Sequence, residues 1–206
     1  GSNGKSTAKQ MIASVLSRTF RTRATAGNLN NHIGLPLTLL AIEPDTEIMV
    51  AEMGANHPGE IRLLAGLAAP DAAVITNVAP AHLEGFGSVE GVLNAKLELF
   101  EQTSTSGARF YNCDDPRLAE TVPARFPGAK SFGANSQART RATGISLDSR
   151  ARATFTLDGE VTVRLNIPGR HNVLNALAAA AVGREFGLSG EQIRDGLEAA
   201  EPMNMR

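Results

Sequence analysis

A chain of 206 residues, 42% apolar and 20% charged, fits one good-sized domain with a real core, or such a domain with a small appendage. Its 20 Lys and Arg nearly cancel its 21 Asp and Glu, which excludes a net field for nucleic acid or an anionic membrane, so any anionic ligand must be held locally. One cysteine, Cys113, excludes an internal disulfide framework and suits a reducing compartment, the cytoplasm; the most apolar run, "NALAAAAVG" ending at Gly183, is too short to span a bilayer.

The chain opens "GSNGKST", in which Gly1, Gly4, Lys5 and Ser6 read as G-x-x-G-K-[ST], the later half of a phosphate-binding loop. Unpaired N–H groups and the helix dipole favour negative charge at such a turn, Lys5 adds a point charge, and Ser6 offers its hydroxyl to Mg²⁺. The alternative is a plain helix start behind the Gly-Ser scar of a cleaved tag. The strand that leads into such a loop does not precede Gly1, so the chain is expected to be a piece of a longer protein.

Further along, "AGNLNNHIGLP" (26 to 36) packs Asn28, Asn30 and Asn31 between glycines and a proline. These are either turn and cap residues or amides presented to a polar ligand. The runs "EIMVAEMG" (47 to 54), "DAAVITNV" (71 to 78) and "ARFYN" (108 to 112) read as short buried strands, each followed by a loop and a helical pattern, the rhythm of a parallel α/β sheet. Ligands of such sheets sit at the strand C-termini, which points to Glu52, the 79 to 87 loop and residues 112 to 115. Glu52 is placed either to hold magnesium or merely at an exposed edge. His82, beside Glu84 among prolines and glycines, is either structural or a ligand. In the helix expected from Ser88, Lys96 falls on the stripe set by Val89, Val92, Leu93, Leu99 and Phe100. It either snorkels along that stripe or is buried, with a lowered pKa and an amine able to form a carbamate.

From about residue 140 the pattern becomes antiparallel. "ATFTLDGEVTVRLNI" alternates apolar residues on either side of Asp158-Gly159, a strong hairpin signal, and a small antiparallel subdomain is expected at about 140 to 168. A helix over "VLNALAAAAVGREF" should stop at Gly187, and Ser189 with Gln192 predicts a capping box for a last helix. Asn172 and Asn175, with His171 beside them, either cap the first of these helices or read an adenine edge. "EPMNMR" reads as a linker.

Together, "GNLNNHIGLPLTLL", "AEMGANHPGEI" and "AHLEGFGSVEGVLNAK" resemble the Mur ligases, ATP-dependent enzymes that build the peptide of bacterial peptidoglycan. The likeness is to the branch that adds D-alanyl-D-alanine to UDP-N-acetylmuramoyl-tripeptide. It runs over residues 1 to 206, as one central ATP-binding domain of P-loop type, with a UDP-sugar domain and a C-terminal domain expected outside the chain. The resemblance implies that Gly1, Asn3, Gly4, Lys5, Ser6 and Thr7 bind the phosphates of ATP, and that Ser6, Glu52, His82 and a carbamylated Lys96 serve magnesium. It further implies that His171, Asn172 and Asn175 meet adenine, and that Asn28, Asn30 and Asn31 lie near the acceptor. Leu97 departs from the glycine that relatives often carry. The partners implied are small molecules, with neither nucleic acid nor membrane, for a monomer whose isolated middle domain is inactive. The rival readings are a folylpolyglutamate- or cyanophycin-synthetase-like ligase, a GTPase, for which no Asn/Thr-Lys-x-Asp guanine reader is present, and a nucleotide-binding module without turnover.

Overall fold

The computed structural model describes residues 1–202; of the expected linker, residues 203 to 206 lie outside the described residues. Helix α1 (Lys5–Leu16) leads to β1 (Thr22–Ala24), α2 (Gly34–Leu40), β2 (Ile48–Val50), α3 (Glu60–Ala68) and β3 (Ala72–Ile75). A short α4 (Leu83–Phe86) and α5 (Val89–Gln102) precede β4 (Ala108–Asn112), α6 (Pro116–Arg125) and β5 (Lys130–Gly133). The chain finishes with β6 (Thr140–Leu147), β7 (Arg152–Leu157), β8 (Val161–Pro168), α7 (Asn172–Glu185) and α8 (Gly190–Ala199).

Strands β1 and β2 pair in parallel as a sheet of two, and β3 to β8 form a second sheet in sequence order. Strands β3 to β6 pair in parallel, and β7 and β8 continue the sheet from β6 in antiparallel pairing. The antiparallel strands expected after residue 140 are therefore not detached: β6 joins β5 through Phe132 opposite Thr140 and Gly133 opposite Arg141. The β7–β8 turn has Asp158 and Gly159 both at positive φ, as a type I′ turn requires. Gly187, at φ 81, closes the end of α7, and the Ser189–Gln192 capping box opens α8.

Helix α7 is apolar on nearly every side because it is buried on nearly every side, with residues Ala176 to Ala180 fully covered. It packs against α1, α8 and strands β4 to β8, and its alanines let these neighbours approach. Gly183 and Gly196 mark where α1 comes closest: a Cβ on Gly196 would lie 2.5 Å from the Val15 Cα. A second core, centred on Phe100, Leu97 and Leu118, fills the space between α5, α6 and the other face of β3 and β4. Leu97, the residue that departs from the relatives' glycine, is wholly inside it.

Two suspects past the strand ends turn out to be architectural. Asn112 gives its amide to the Thr76 carbonyl at 3.0 Å, tying the end of β4 to the end of β3. Asp115 caps α6 through the Arg117 and Leu118 N–H groups and also accepts the buried Val78 N–H at 2.7 Å. Replacing Asp115 by Ala removes a cap and orphans a buried donor. Urea unfolding of Asp115→Ala is expected to show a loss of about 2–4 kcal/mol; a loss under about 0.5 kcal/mol, the scale of an ordinary surface change, would contradict this assignment.

Candidate functional site

The loop from Gly1 to Gly4 is fastened to the segment that follows β3. Ser2 Oγ donates to the Ala79 carbonyl at 3.0 Å, and the Ala79 N–H returns to Ser2 Oγ at 2.9 Å. The Ser2 N–H reaches the Asn77 carbonyl, the Asn3 N–H reaches Asn77 Oδ1, and Thr76 Oγ1 donates to the Asn3 carbonyl. Both glycines are required by contact. A Cβ on Gly1 would fall 1.8 Å from Thr76 Oγ1, and Gly4, at φ 76, would meet Asn175 Oδ1 at 2.5 Å.

The clamp leaves α1 starting over one end of a cavity of about 410 Å³ that runs the length of β2 and β3, lined at their C-terminal ends by Gly1, Lys5, Lys9, Glu52, His82 and Lys96. No side chain caps α1 and no acidic residue stands in its first turn, so its first amides remain free to face an anion. Lys5 folds back on its own loop, its Nζ 3.1 Å from the Ser2 carbonyl.

Glu52 lies two residues beyond β2 and is 5% exposed. Three neighbours position it: its N–H donates to Thr25 Oγ1 at 2.9 Å, Asn30 Nδ2 donates to its Oε1 at 2.7 Å, and Lys9 Nζ stands 3.5 Å from its Oε2. Oε2 is buried yet has no hydrogen-bond partner. A buried carboxylate oxygen without a donor is a fit for a cation, and Ser6 stands at the start of the facing helix. Among the described residues no group of three or more His, Cys, Asp and Glu is placed to hold a metal. A divalent ion here would draw on Glu52, a hydroxyl and ligand phosphates, the manner in which Mg²⁺ is commonly held.

Lys96 is half-buried on α5 and lines the same cavity, with no ion-pair partner among the described residues. Burial, helped by the Lys5 ammonium, pulls its amine from 10.5 down to about 8. His82 is exposed, at positive φ ahead of α4, and also lines the cavity.

The asparagines divide by task. Asn31 Oδ1 accepts the Ile33 and Gly34 N–H groups at the start of α2, Asn30 holds Glu52, and Asn28 is exposed. Gly54 makes room for the Asn30 amide, which a Cβ there would meet at 3.2 Å. Asn172 and Asn175 are buried and turned toward the protein: Asn175 Nδ2 donates to Asn172 Oδ1 at 2.9 Å, and Asn172 Nδ2 to the Pro168 carbonyl at 2.7 Å. Neither caps α7, whose N-cap residue is the exposed His171. Instead, Asn175 supports Gly4 from below.

Sequence reasoning missed Lys9, Thr76 and Asn77. Lys9 carried a readable signal, since it stands one turn after Lys5 on the helix face shared with Ile12 and Leu16, the same reasoning that singled out Lys96. Thr76 and Asn77 carried none, because their partners are more than seventy residues away.

The sequence profile of the Mur ligase middle domain matches residues 1–183. The chain is 43% identical over 207 residues to the UDP-N-acetylmuramoyl-tripeptide--D-alanyl-D-alanine ligase of Bacillus subtilis, a match covering 100% of this chain and 44% of that protein. Among solved structures it is similar to MurF from Acinetobacter baumannii, with a TM-score of 0.92 and 38% identity over 99% of this chain and 45% of that one. It is also similar to the MurF ligase of Thermotoga maritima in complex with ADP, with a TM-score of 0.85 and 31% identity over 97% of this chain and 46% of that one. The chain thus spans less than half the length of the relatives it matches. Matched over most of its length in sequence and fold, it belongs to the Mur ligase family, whose middle domain it forms.

Proposed function

We propose that this chain is the ATP-binding domain of a ligase that joins D-alanyl-D-alanine to UDP-N-acetylmuramoyl-tripeptide. The observation that carries the reading is the convergence of the uncapped start of α1, Lys5, a Glu52 Oε2 that accepts no hydrogen bond, and Lys96 on one cavity. The activity named for the Bacillus subtilis relative and the ADP of the Thermotoga maritima structure support it.

In this reading the amides of Gly4 to Thr7 and the Lys5 ammonium take the β- and γ-phosphates, with Gly1 and Asn3 shaping the loop. Ser6 and Glu52 would hold Mg²⁺, with His82 and, once carbamylated, Lys96 within the same cavity for a second ion. The ion, when bound, supplies charge stabilisation at the phosphoryl oxygens. The tripeptide carboxylate attacks the γ-phosphorus and ADP leaves; the amine of D-alanyl-D-alanine then attacks the acyl carbon, a proton is lost and phosphate departs. What this chain's residues contribute is placement and charge rather than covalent chemistry. Asn30 acts on the reaction through Glu52, Asn31 through the start of α2, and Asn28 is free to meet the acceptor. Asn172 spends its amide on Pro168 and Asn175, so adenine recognition falls to exposed His171, the side-chain oxygen of Asn175 and backbone beside them. The sugar nucleotide is assigned to residues outside this chain.

Among the described residues no helix is long and apolar enough to cross a membrane, and the single half-buried Cys113 fits a cytoplasmic setting.

Calorimetric titration of Mg-ATP is expected to give saturable binding to this chain, weakened at least about tenfold in Lys5→Ala by loss of a charge-assisted phosphate contact. Equal binding by both would overturn the phosphate role of the loop. Phosphate release dependent on both the tripeptide precursor and D-alanyl-D-alanine, assayed in the parent enzyme, separates the ligase from a module that only binds nucleotide.

Lys96 gives a pH-dependent test. Its folded pKa of about 8 lies below the unfolded 10.5, so the unfolded chain binds more protons between those values and stability rises with pH across that window. Urea unfolding of the native chain relative to Lys96→Met should show this gain between about pH 8 and 10.5; a difference independent of pH would contradict it. In ¹³C-bicarbonate, attack of the neutral amine on CO₂ with loss of a proton should give a carbamate ¹³C resonance that grows as pH rises through about 8 and is missing in Lys96→Met.

A further inference from the structure

Lys9 is the least exposed of the three cationic side chains at the cavity, and the reading above gives it no task. Its side chain is 9% exposed and that of Glu52 3% exposed, so the pair sits where water screens little. Two of its three N–H donors are spent on the Thr25 carbonyl at 2.8 Å and the Gly27 carbonyl at 3.0 Å, which fixes Nζ in place. From there it stands 3.5 Å from Glu52 Oε2 and makes no hydrogen bond to it. Lys9 therefore balances the carboxylate's charge while leaving Oε2 without a hydrogen bond.

The surrounding charge has a direction. Lys5 and Lys9 line this end of the cavity against Glu52, the one carboxylate there among the described residues, while Glu47 and Asp71 stand at the opposite ends of β2 and β3. A bare divalent cation approaching Glu52 meets a site whose carboxylate is already balanced and whose other side chains repel it. The same cation carried by a polyphosphate arrives as a net anion, which Lys5 and the start of α1 attract.

We propose that Lys9 is a positioning residue that balances Glu52 and thereby admits a divalent cation only together with nucleotide phosphates. The proposal rests on the reading of Glu52 as a metal ligand.

Mn²⁺ serves as the probe, its binding to the whole chain followed by electron paramagnetic resonance with and without ATP. The native chain is expected to bind free Mn²⁺ weakly and Mn-ATP well. Lys9→Gln keeps amide donors for the Thr25 and Gly27 carbonyls but removes the charge. It should bind free Mn²⁺ about tenfold tighter or more, while Lys9→Arg restores the native behaviour. A residue that only ties α1 to the 25 to 27 loop would lower the melting temperature and leave free Mn²⁺ affinity unchanged. Unchanged or weaker free Mn²⁺ binding in Lys9→Gln, with the native far-ultraviolet circular dichroism retained, overturns the proposal; should that variant not fold, Lys9→Met is read in the same way. Glu52→Gln distinguishes the two levels: if it leaves Mn-ATP binding as in the native chain, the metal reading of Glu52 itself fails.

Discussion

The clamp between the first loop and the end of β3 is the constraint on which the site depends. Hydrogen bonds among Ser2, Asn3, Thr76, Asn77 and Ala79 hold the N-terminus of α1 at the carboxyl edge of the sheet. Without them α1 would still pack through Met11, Val15 and Leu16 against α7 and α8, since that core does not involve the loop. Its free amides and Lys5, however, would lack a fixed position over Glu52. The core therefore sets where α1 lies, and the clamp sets what its first turn faces. Gly1 and Gly4 allow this closeness, one against Thr76 and the other against Asn175.

A second principle is the separation of charge from structure at the strand ends. Asn112 and Asp115 have the composition of a site but spend their polar atoms on Thr76, Val78 and the start of α6. Glu52 differs in one atom: Oε1 is held by Asn30, whereas Oε2 is buried without a donor. Lys96 differs in a similar way, a half-buried amine without an ion-pair partner among the described residues. Buried polar groups are usually satisfied, so the exception at Glu52, facing one cavity with Lys96, carries more functional meaning than the number of polar residues around it.

Local signals in the sequence were legible where the structure is decided locally. The Asp158-Gly159 turn, the Ser189–Gln192 box and the α5 start at Ser88 each depend on a few adjacent residues, and all three form. β4 was likewise readable because its last three residues are buried as a run. β1 and β2, three residues each, fall below the length at which periodicity speaks, so the first was missed and the second was drawn too long. The join of β6 to β5 is a pairing between strands and leaves no mark on either alone. The same holds for the site. Gly1, Lys5, Glu52, His82 and Lys96 were found as residue types in telling places, and all line one cavity. The inward turn of Asn172 and Asn175 was not legible, because a polar pair at a helix start reads alike whether it faces a ligand or a neighbouring carbonyl.

The central claim is that α1, Lys5 and Glu52 form one site for a phosphate-bound divalent cation. The most direct measurement is a crystal structure of this chain grown with ADP and Mn²⁺, using the anomalous signal to locate the metal. The account predicts a manganese peak within bonding distance of Ser6 Oγ and Glu52 Oε2, or one water away from the latter, with the β-phosphate against the amides of Gly4 to Thr7. Nucleotide bound elsewhere, or manganese located away from both side chains, would contradict it.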